Sequence, residues 1–207
     1  MKPASALRGL LVALFGMLFG GLLFGGVLSG CQSYDKLVDL DATCDQKWAD
    51  VQTQLQRRYD LIPNLVETVK GQAKFEKDTL EKVTEARASA TQIKLSADDL
   101  TDPAKMAAFS KAQGELSGAL TRLLVASENY PELKANAAFH DLRVDLEGTE
   151  NRIQRARADY NSAVKDYNAE LGKIRGQAIN KVTGKPFKKR EYFSAQADAQ
   201  AAPKVSF

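Results

Sequence analysis

The stretch "CDQKWADVQTQLQRRYDLIPNLVETVKG", residues 44–71, decides the fold of this chain. Its apolar residues recur every three or four positions, which is the spacing of one face of an α-helix. The mean step of about 3.6 residues predicts a long amphipathic helix with one buried face. The residues of this face are Cys44, Trp48, Val51, Leu55, Tyr59, Ile62, Val66 and Val69.

Pro63 conflicts with a helix at this position. A proline inside a helix removes the hydrogen bond to the carbonyl four residues earlier, which here is that of Tyr59. The apolar phase nevertheless continues past Pro63 towards Val83. Two alternatives therefore remain open. Either one long helix is kinked at Pro63, or the chain breaks there into helices at 34–61 and 64–92.

Two further helices follow a loop at residues 96–103. Asp102 followed by Pro103 is a favourable helix start, because the aspartate caps the free amides and proline fits the first turn. We therefore expect helices at 103–128 and 137–175. The last helix carries a heptad seam, which favours packing against other helices. Its members are Phe139, Leu142, Leu146, Thr149, Ile153, Ala156, Tyr160, Ala163 and Tyr167. The predicted fold is all-α, an antiparallel four-helix bundle of long helices with a kink or break near Pro63.

The first 30 residues are typical of a targeting segment. Lys2 and Arg8 precede an uncharged apolar run, residues 9–28, which is the layout of a secretory signal. The run is also nearly long enough to span a bilayer, so an uncleaved anchor is the alternative. Either interpretation places the rest of the chain on the far side of the inner membrane, facing the periplasm or the cell exterior.

Cys31 ends a "LSGC" tetrapeptide that resembles the lipobox of bacterial lipoproteins. The resemblance implies cleavage before Cys31 and covalent acylation of this residue, which would anchor the chain stably. Gln32 in the next position favours the outer membrane over the inner membrane. Cys31 is then no disulfide partner for Cys44, which we expect to be a buried, inert thiol. The predicted domains are a signal or anchor at 1–30, the bundle at 31–180, and a C-terminal segment at 181–207.

No constellation of residues in the sequence predicts catalysis, a metal site or a cofactor other than the lipid on Cys31. His140 is the single histidine, so a histidine cluster cannot form, and we expect it on the surface beside Phe139. There is no nucleophile elbow, P-loop or dinucleotide fingerprint. The sequence therefore predicts that the protein is not an enzyme.

Five polar residues surround Pro63 and form a candidate interaction patch: Arg57, Arg58, Asp60, Asn64 and Glu67. Their structural interpretation is a set of hydrogen bonds and ion pairs that cover the backbone groups freed by the proline. Their functional interpretation is a polar recognition patch.

A basic and aromatic segment follows the last helix, with Lys185, Phe187, Lys188, Lys189, Arg190, Tyr192 and Phe193. In an exported protein such a segment favours lipid headgroups, anionic envelope polymers or docking on the bundle over nucleic acid. The aromatic residues favour packing back on the bundle. The tail "SAQADAQAAPK" has few core-forming residues and is predicted to be disordered.

Several stretches of the sequence together resemble the bacterial LemA family. They are "QLQRRYDLIPNLVETVKG" at 54–71, "LTRLLVASENYPELKAN" at 120–136, "DLEGTENRIQRARADYN" at 145–161, "FKKREYF" at 187–193 and "PKVSF" at 203–207. Two departures are residues 172–176, where a more apolar segment is expected, and the lipobox, since the family anchor is commonly uncleaved.

The resemblance implies a four-helix bundle held at a membrane without established enzymatic activity. Two functional hypotheses follow. The first is a lipoprotein scaffold that organises the cell envelope by forming homo-oligomers on its membrane. The second is an adaptor that binds another envelope protein, such as a membrane-stress protease.

Overall fold

The computed structural model describes the backbone of residues 4–71, 75–173, 176–177 and 187–194, and the side chains of these ranges from Tyr34 onward. All elements in these ranges are helical, which confirms the all-α bundle. They are α1 (Ala4–Lys70), α2 (Lys77–Gln92), a 3₁₀ turn (Asp98–Thr101), α3 (Pro103–Ser127), α4 (Pro131–Lys134) and α5 (Ala137–Gly172).

The targeting segment predicted at residues 1–30 and the Cys31 side chain lie outside the described side chains, so the lipoprotein interpretation stays a prediction. Among the described residues, no helix combines the length and the hydropathy needed to cross a membrane. The predicted disorder of the tail also falls outside the described residues, apart from Ser194.

Helix α1 passes through Pro63 without a break. It continues to Lys70, and the next helix, α2, begins at Lys77. The alternative with a break at Pro63 and a single helix at 64–92 is therefore wrong, and so is a single kinked helix that continues to residue 92. The carbonyl of Tyr59 is not left unpaired, because Arg87 Nε of α2 donates a hydrogen bond to it at 2.9 Å. A side chain thus replaces the amide that proline lacks, and the helix can continue.

The predicted apolar faces form one core. Helix α1 packs chiefly against α5, and α2 packs chiefly against α3. The heptad seam of α5 is buried along its length, apart from the half-buried Leu142. The predicted start of α3 is also confirmed, since Asp102 Oδ1 accepts hydrogen bonds from the amides of Ala104 and Lys105. Asn136 caps α5 in the same way.

The helices are unequal in length, which corrects the expectation that all four are long. The part of α1 from residue 34 onward and the 36-residue α5 each extend about 55 Å, whereas the 25-residue α3 extends about 37 Å. Helix α2 has 16 residues and extends only about 24 Å. The bundle therefore has two ends. We call them the turn end, near residues 71–76 and 128–136, and the N-terminal end, where α1 and α5 outrun the other two helices.

Each end is closed by connecting segments. At the turn end, the rings of Phe75 and Tyr130 join the two turns, with centroids 5.0 Å apart. At the N-terminal end, residues 93–101 descend from α2 and bury Leu95 and Leu100. The extended segment 187–194, which we call the strap, covers the remaining face. The N-terminal end is therefore covered by two segments that lie outside the long helices, namely residues 93–101 and the strap.

Replacing Arg87 by Met should lower the free energy of unfolding by about 1–2 kcal/mol, because the buried carbonyl of Tyr59 loses its donor. In a Pro63→Ala background the same change should cost clearly less, since alanine at this position supplies the missing amide. Lys82→Met on the exposed face of α2 is the matched control and should have little effect. Urea unfolding of the four variants measures the coupling. An equal cost of Arg87→Met in both backgrounds would show that Arg87 does not compensate for Pro63.

Candidate functional site

The strap runs antiparallel to α5 and is bound through its own backbone. Asn168 of α5 accepts from the amide of Arg190 at 3.0 Å and donates to the Arg190 carbonyl at 2.8 Å. Asn161 makes the same pair of bonds with the amide and carbonyl of Phe193, at 2.9 and 3.0 Å. Two side-chain amides thus act as partners that a neighbouring β-strand would otherwise supply.

This pairing works because two repeats have the same length. Asn161 and Asn168 are seven residues apart, which is about 10.5 Å along a helix. Arg190 and Phe193 are three residues apart, which is about 10 Å along an extended chain. Tyrosine hydroxyls add bonds in the same register, since Tyr167 donates to a strap carbonyl at residue 188 and Tyr160 to one at residue 191. A helix and an extended segment therefore stay in step along the strap.

Arg190 fixes the strap to α1. Its guanidinium is 5% exposed and contacts the carboxylates of Asp41 at 2.8 Å and Asp45 at 2.7 Å. Burial alone lowers the pKa of Arg190, but its hydrogen bonds and attraction to the two carboxylates outweigh this effect and raise the pKa above its usual value. Arg190 therefore stays charged and has a structural role. The backbone amide of Glu191, also in the strap, donates a hydrogen bond to the Leu100 carbonyl at 2.8 Å.

Phe193 completes an aromatic cluster in the core. It lies with Trp48 of α1, Phe109 of α3 and Tyr160 of α5, and the ring centroids of the contacting pairs are 5.2–6.1 Å apart. Such tilted and edge-to-face contacts are favourable beyond the area they bury. The prediction that the basic and aromatic segment packs back on the bundle is therefore confirmed for Arg190 and Phe193. Lys188, Lys189 and Tyr192 remain exposed, and Lys185 lies outside the described residues.

Between the strap and the turn end, a groove of about 700 Å³ with many polar lining residues lies between α3 and α5. The groove exists because the facing side of α3 carries small residues, among them Gly114, Ser117 and Gly118, which cannot reach α5. Its floor is Arg58 of α1, and its lower end is formed by Phe193 and Ser194. This groove is the candidate functional site.

Arg58 connects the helices at the floor of the groove. Its side chain is 2% exposed and donates to Gln113 Oε1, to Ser117 Oγ at 2.9 Å and to Glu150 at 3.0 Å. Gln113 in turn donates to the hydroxyl of Tyr59 at 2.6 Å, and that hydroxyl contacts the Ala90 carbonyl. Burial raises the pKa of Tyr59, so the hydroxyl stays neutral and can donate. The Arg58 network thus links α1, α2, α3 and α5.

The structure separates the five residues of the predicted interaction patch. Arg58 points into the core, whereas Arg57, Asp60, Asn64 and Glu67 are exposed on α1. These four make local or distant surface contacts, such as Gln56 to Asp60 at 2.7 Å and Arg57 to Asp145 at 3.8 Å. They do not cover the carbonyl freed by Pro63, which Arg87 reaches instead. Their recognition role stays a prediction.

Sequence reasoning placed Arg58 in a polar patch but did not predict its interior position, and it did not predict the contacts of several other residues. Arg58 had a readable signal, because it occupies a core position of a second heptad series on α1: Val51, Leu55, Arg58, Ile62, Leu65 and Val69. For Asn161 and Asn168 the signal was weaker: they are seven residues apart, and each directly follows a residue of the heptad seam. Gln113 and Arg87 had none, because their partners are 54 and 28 residues away.

Two other residues of chemical interest, Cys44 and His140, do not add to the candidate site. Cys44 is a buried free thiol, as expected, and burial raises its pKa to about 11, which keeps it protonated and unreactive. His140 is exposed. Within the part of the chain that the structure describes, no three histidine, cysteine or acidic residues are grouped to hold a metal ion.

Arg190→Met should lower the free energy of unfolding by about 2 kcal/mol. This is less than the ~3–5 kcal/mol of fully buried pairs, because Asp41 and Asp45 keep partial contact with water. Lys189→Met, at the exposed neighbouring position, is the matched control and should change stability by less than about 0.5 kcal/mol. Urea denaturation compares the two. Equal small effects would show that the ion pairs do not hold the strap.

Arg58→Met should destabilise the bundle by about 2 kcal/mol, because Gln113 loses its donor in a buried position. Arg57→Met should have almost no effect, since its ion pair with Asp145 is exposed and long. Thermal unfolding of the two adjacent arginine variants tests the assignment. A greater loss for Arg57→Met would contradict the interior position of Arg58.

The sequence of the chain is similar to those of several named bacterial proteins. The chain is 26% identical over 176 residues to magnetosome proteins MamQ 1 and MamQ 2 of Paramagnetospirillum magneticum, a match that covers 77% of this chain and 64% of each relative. MamQ of Magnetospirillum gryphiswaldense matches over the same length at 24% identity, with the same coverage. The chain therefore spans less than two thirds of these curated relatives.

The family comparison extends over the bundle and the strap. The model of the LemA family matches residues 47–207, which include the last part of α1, the groove and the whole strap. Together with the relatives, this match supports a membrane-associated helical protein. The chain belongs to the LemA family.

Proposed function

We propose that this protein is a non-enzymatic, membrane-anchored scaffold that organises the cell envelope through self-association on its membrane. The observation that carries the proposal is the continuity of α1. One helix runs from Ala4 to Lys70, so the N-terminal apolar segment leads into the longest helix of the bundle without a linker. If the chain is instead cleaved before an acylated Cys31, the remaining part of the same helix begins beside the lipid.

A continuous helix restricts how the bundle is presented. A flexible linker of n residues lets its ends separate by about 5–6 Å × √n and rotate freely. Without such a linker, every copy stands on the membrane in a similar orientation. Equal orientation reduces the entropy that is lost when copies pack side by side. The same constraint hinders reaching for distant partners, so it favours assembly of identical copies over capture of remote ones.

The chemistry of the described residues is consistent with this role. Arg58 and Gln113 bond to each other inside the bundle, and Arg190 joins the strap to α1, so these buried polar residues have a structural role. The curated relatives are named as magnetosome proteins, which supports a role in a cellular structure.

Insertion of about eight Gly and Ser residues between Ser33 and Tyr34 tests the proposal, since this linker spans roughly 16 Å. We expect the wild-type full chain, extracted with its own lipids, to form repeating assemblies by cryo-microscopy, and the insertion to abolish them. The same residues added after Phe207 are the matched control and should leave the assemblies intact.

Monodisperse single copies of the wild-type chain on lipid would contradict self-association. The adaptor hypothesis is the second candidate, and the open groove between α3 and α5 favours it because a partner segment could bind there. An unlike protein that is retained at fixed stoichiometry in the same preparation would support the adaptor and not the scaffold.

A further inference from the structure

The amide pairing between α5 and the strap has a third position that is not used among the described residues. Gln154 lies on the same face of α5, seven residues before Asn161, which itself lies seven residues before Asn168. Its side chain is exposed and lines the groove, and it makes no hydrogen bond within the described part of the chain. By the register of the first two amides, Gln154 lies level with residue 196, three residues beyond Phe193.

The strap also ends where the groove begins. Phe193 and Ser194 form the lower end of the groove, so the chain that follows Ser194 starts at its mouth. We propose that the groove between α3 and α5 is the docking site of the chain's own residues 195–201, which continue the strap along about two further heptads of α5. This proposal does not depend on self-association.

The sequence of the segment fits the groove. Residues 195–201 read Ala-Gln-Ala-Asp-Ala-Gln-Ala, and alternate residues of an extended chain point to opposite sides. One side of the segment is therefore only alanine, which can approach the small residues Gly114 and Gly118 on the wall of α3. The other side offers amides and one carboxylate. Docking through backbone and alanine also explains why the segment has few core-forming residues.

The charges of the groove match this occupant. Glu150 is engaged by Arg58, and Glu115 lies 3.8 Å from Lys111. Arg122 and Arg157 also line the groove, and neither has an ion-pair partner among the described residues. Asp198 would bring a single carboxylate between them. At the floor, Arg58 Nε and Ser110 Oγ are buried without a hydrogen-bond partner in the described ranges.

A docked segment would close the groove to other ligands. A partner of the adaptor kind would have to displace residues 195–201 before it could contact Arg58 and its neighbours. The tail would therefore set the affinity of the groove for any competing segment.

Disulfide trapping in the full-length chain, kept in its native membranes, tests the proposal. Thr121 is exposed on the α3 wall, and the extrapolated register places Ala199 at its level. The pair Thr121→Cys and Ala199→Cys should form an intrachain disulfide at least about tenfold faster than the matched pair Thr121→Cys and Ser206→Cys. A free tail would close both loops at nearly equal rates, because closure entropy changes little between such similar loop lengths.

A second variant tests the register itself. Gln154→Ala, added to the faster pair, should slow disulfide formation severalfold, whereas Gln46→Ala, an exposed glutamine far from the groove, should not. Peptide mapping by mass spectrometry identifies the linked residues. Equal rates for the two pairs, or no effect of Gln154→Ala, would overturn the proposal. A disulfide between two copies would also overturn it and assign the groove to the tail of a neighbouring molecule.

Discussion

The structure depends on a difference in length between two pairs of helices. Helices α1 and α5 form the longest pair, and the shorter α2 and α3 leave their N-terminal end uncovered. Apolar residues such as Leu37, Tyr160 and Tyr167 would face water there if nothing else packed on them. The segment with Leu95 and Leu100 covers part of this surface, and the strap covers the rest. The strap is therefore a structural layer of the bundle and not an appended tail.

The strap can take this position because a helical heptad and three extended residues have nearly the same length. Asn161 and Asn168 exploit this equality by satisfying both backbone groups of Phe193 and Arg190. Backbone groups that are buried without such partners are costly. The ion pairs of Arg190 and the packing of Phe193 against Trp48 and Phe109 then fix the strap to the other helices.

Polar side chains in the half of the bundle nearer the turn end also stabilise the contacts between helices. Arg87 compensates for the amide that Pro63 lacks, and Arg58 joins the helices where small residues of α3 prevent close packing. The groove is the consequence of those small residues. A scaffold needs a rigid bundle, which these contacts provide, and the groove gives the same bundle a surface that a peptide segment can enter.

The sequence predicts the parts of this fold that arise from periodicity and local chemistry. The buried faces of α1 and α5, the Asp102 cap and the burial of Cys44 follow from spacing and residue type. The break of the chain was misplaced, because the penalty of Pro63 is removed by Arg87, whose approach depends on tertiary packing. Gln113 likewise gains its role only when α3 lies beside α1. The strap was predicted to pack on the bundle, but its register needed the geometry of α5.

Native-state hydrogen exchange of the full-length chain tests the central claim most directly, namely that the strap is part of the cooperative core. The amides of Arg190, Glu191 and Phe193 are each bonded to a group outside the strap. We predict that they exchange as slowly as the neighbouring amides of α5, because both are released by the same unfolding event. Exchange at the rate of an unstructured peptide, with α5 still protected, would contradict this claim.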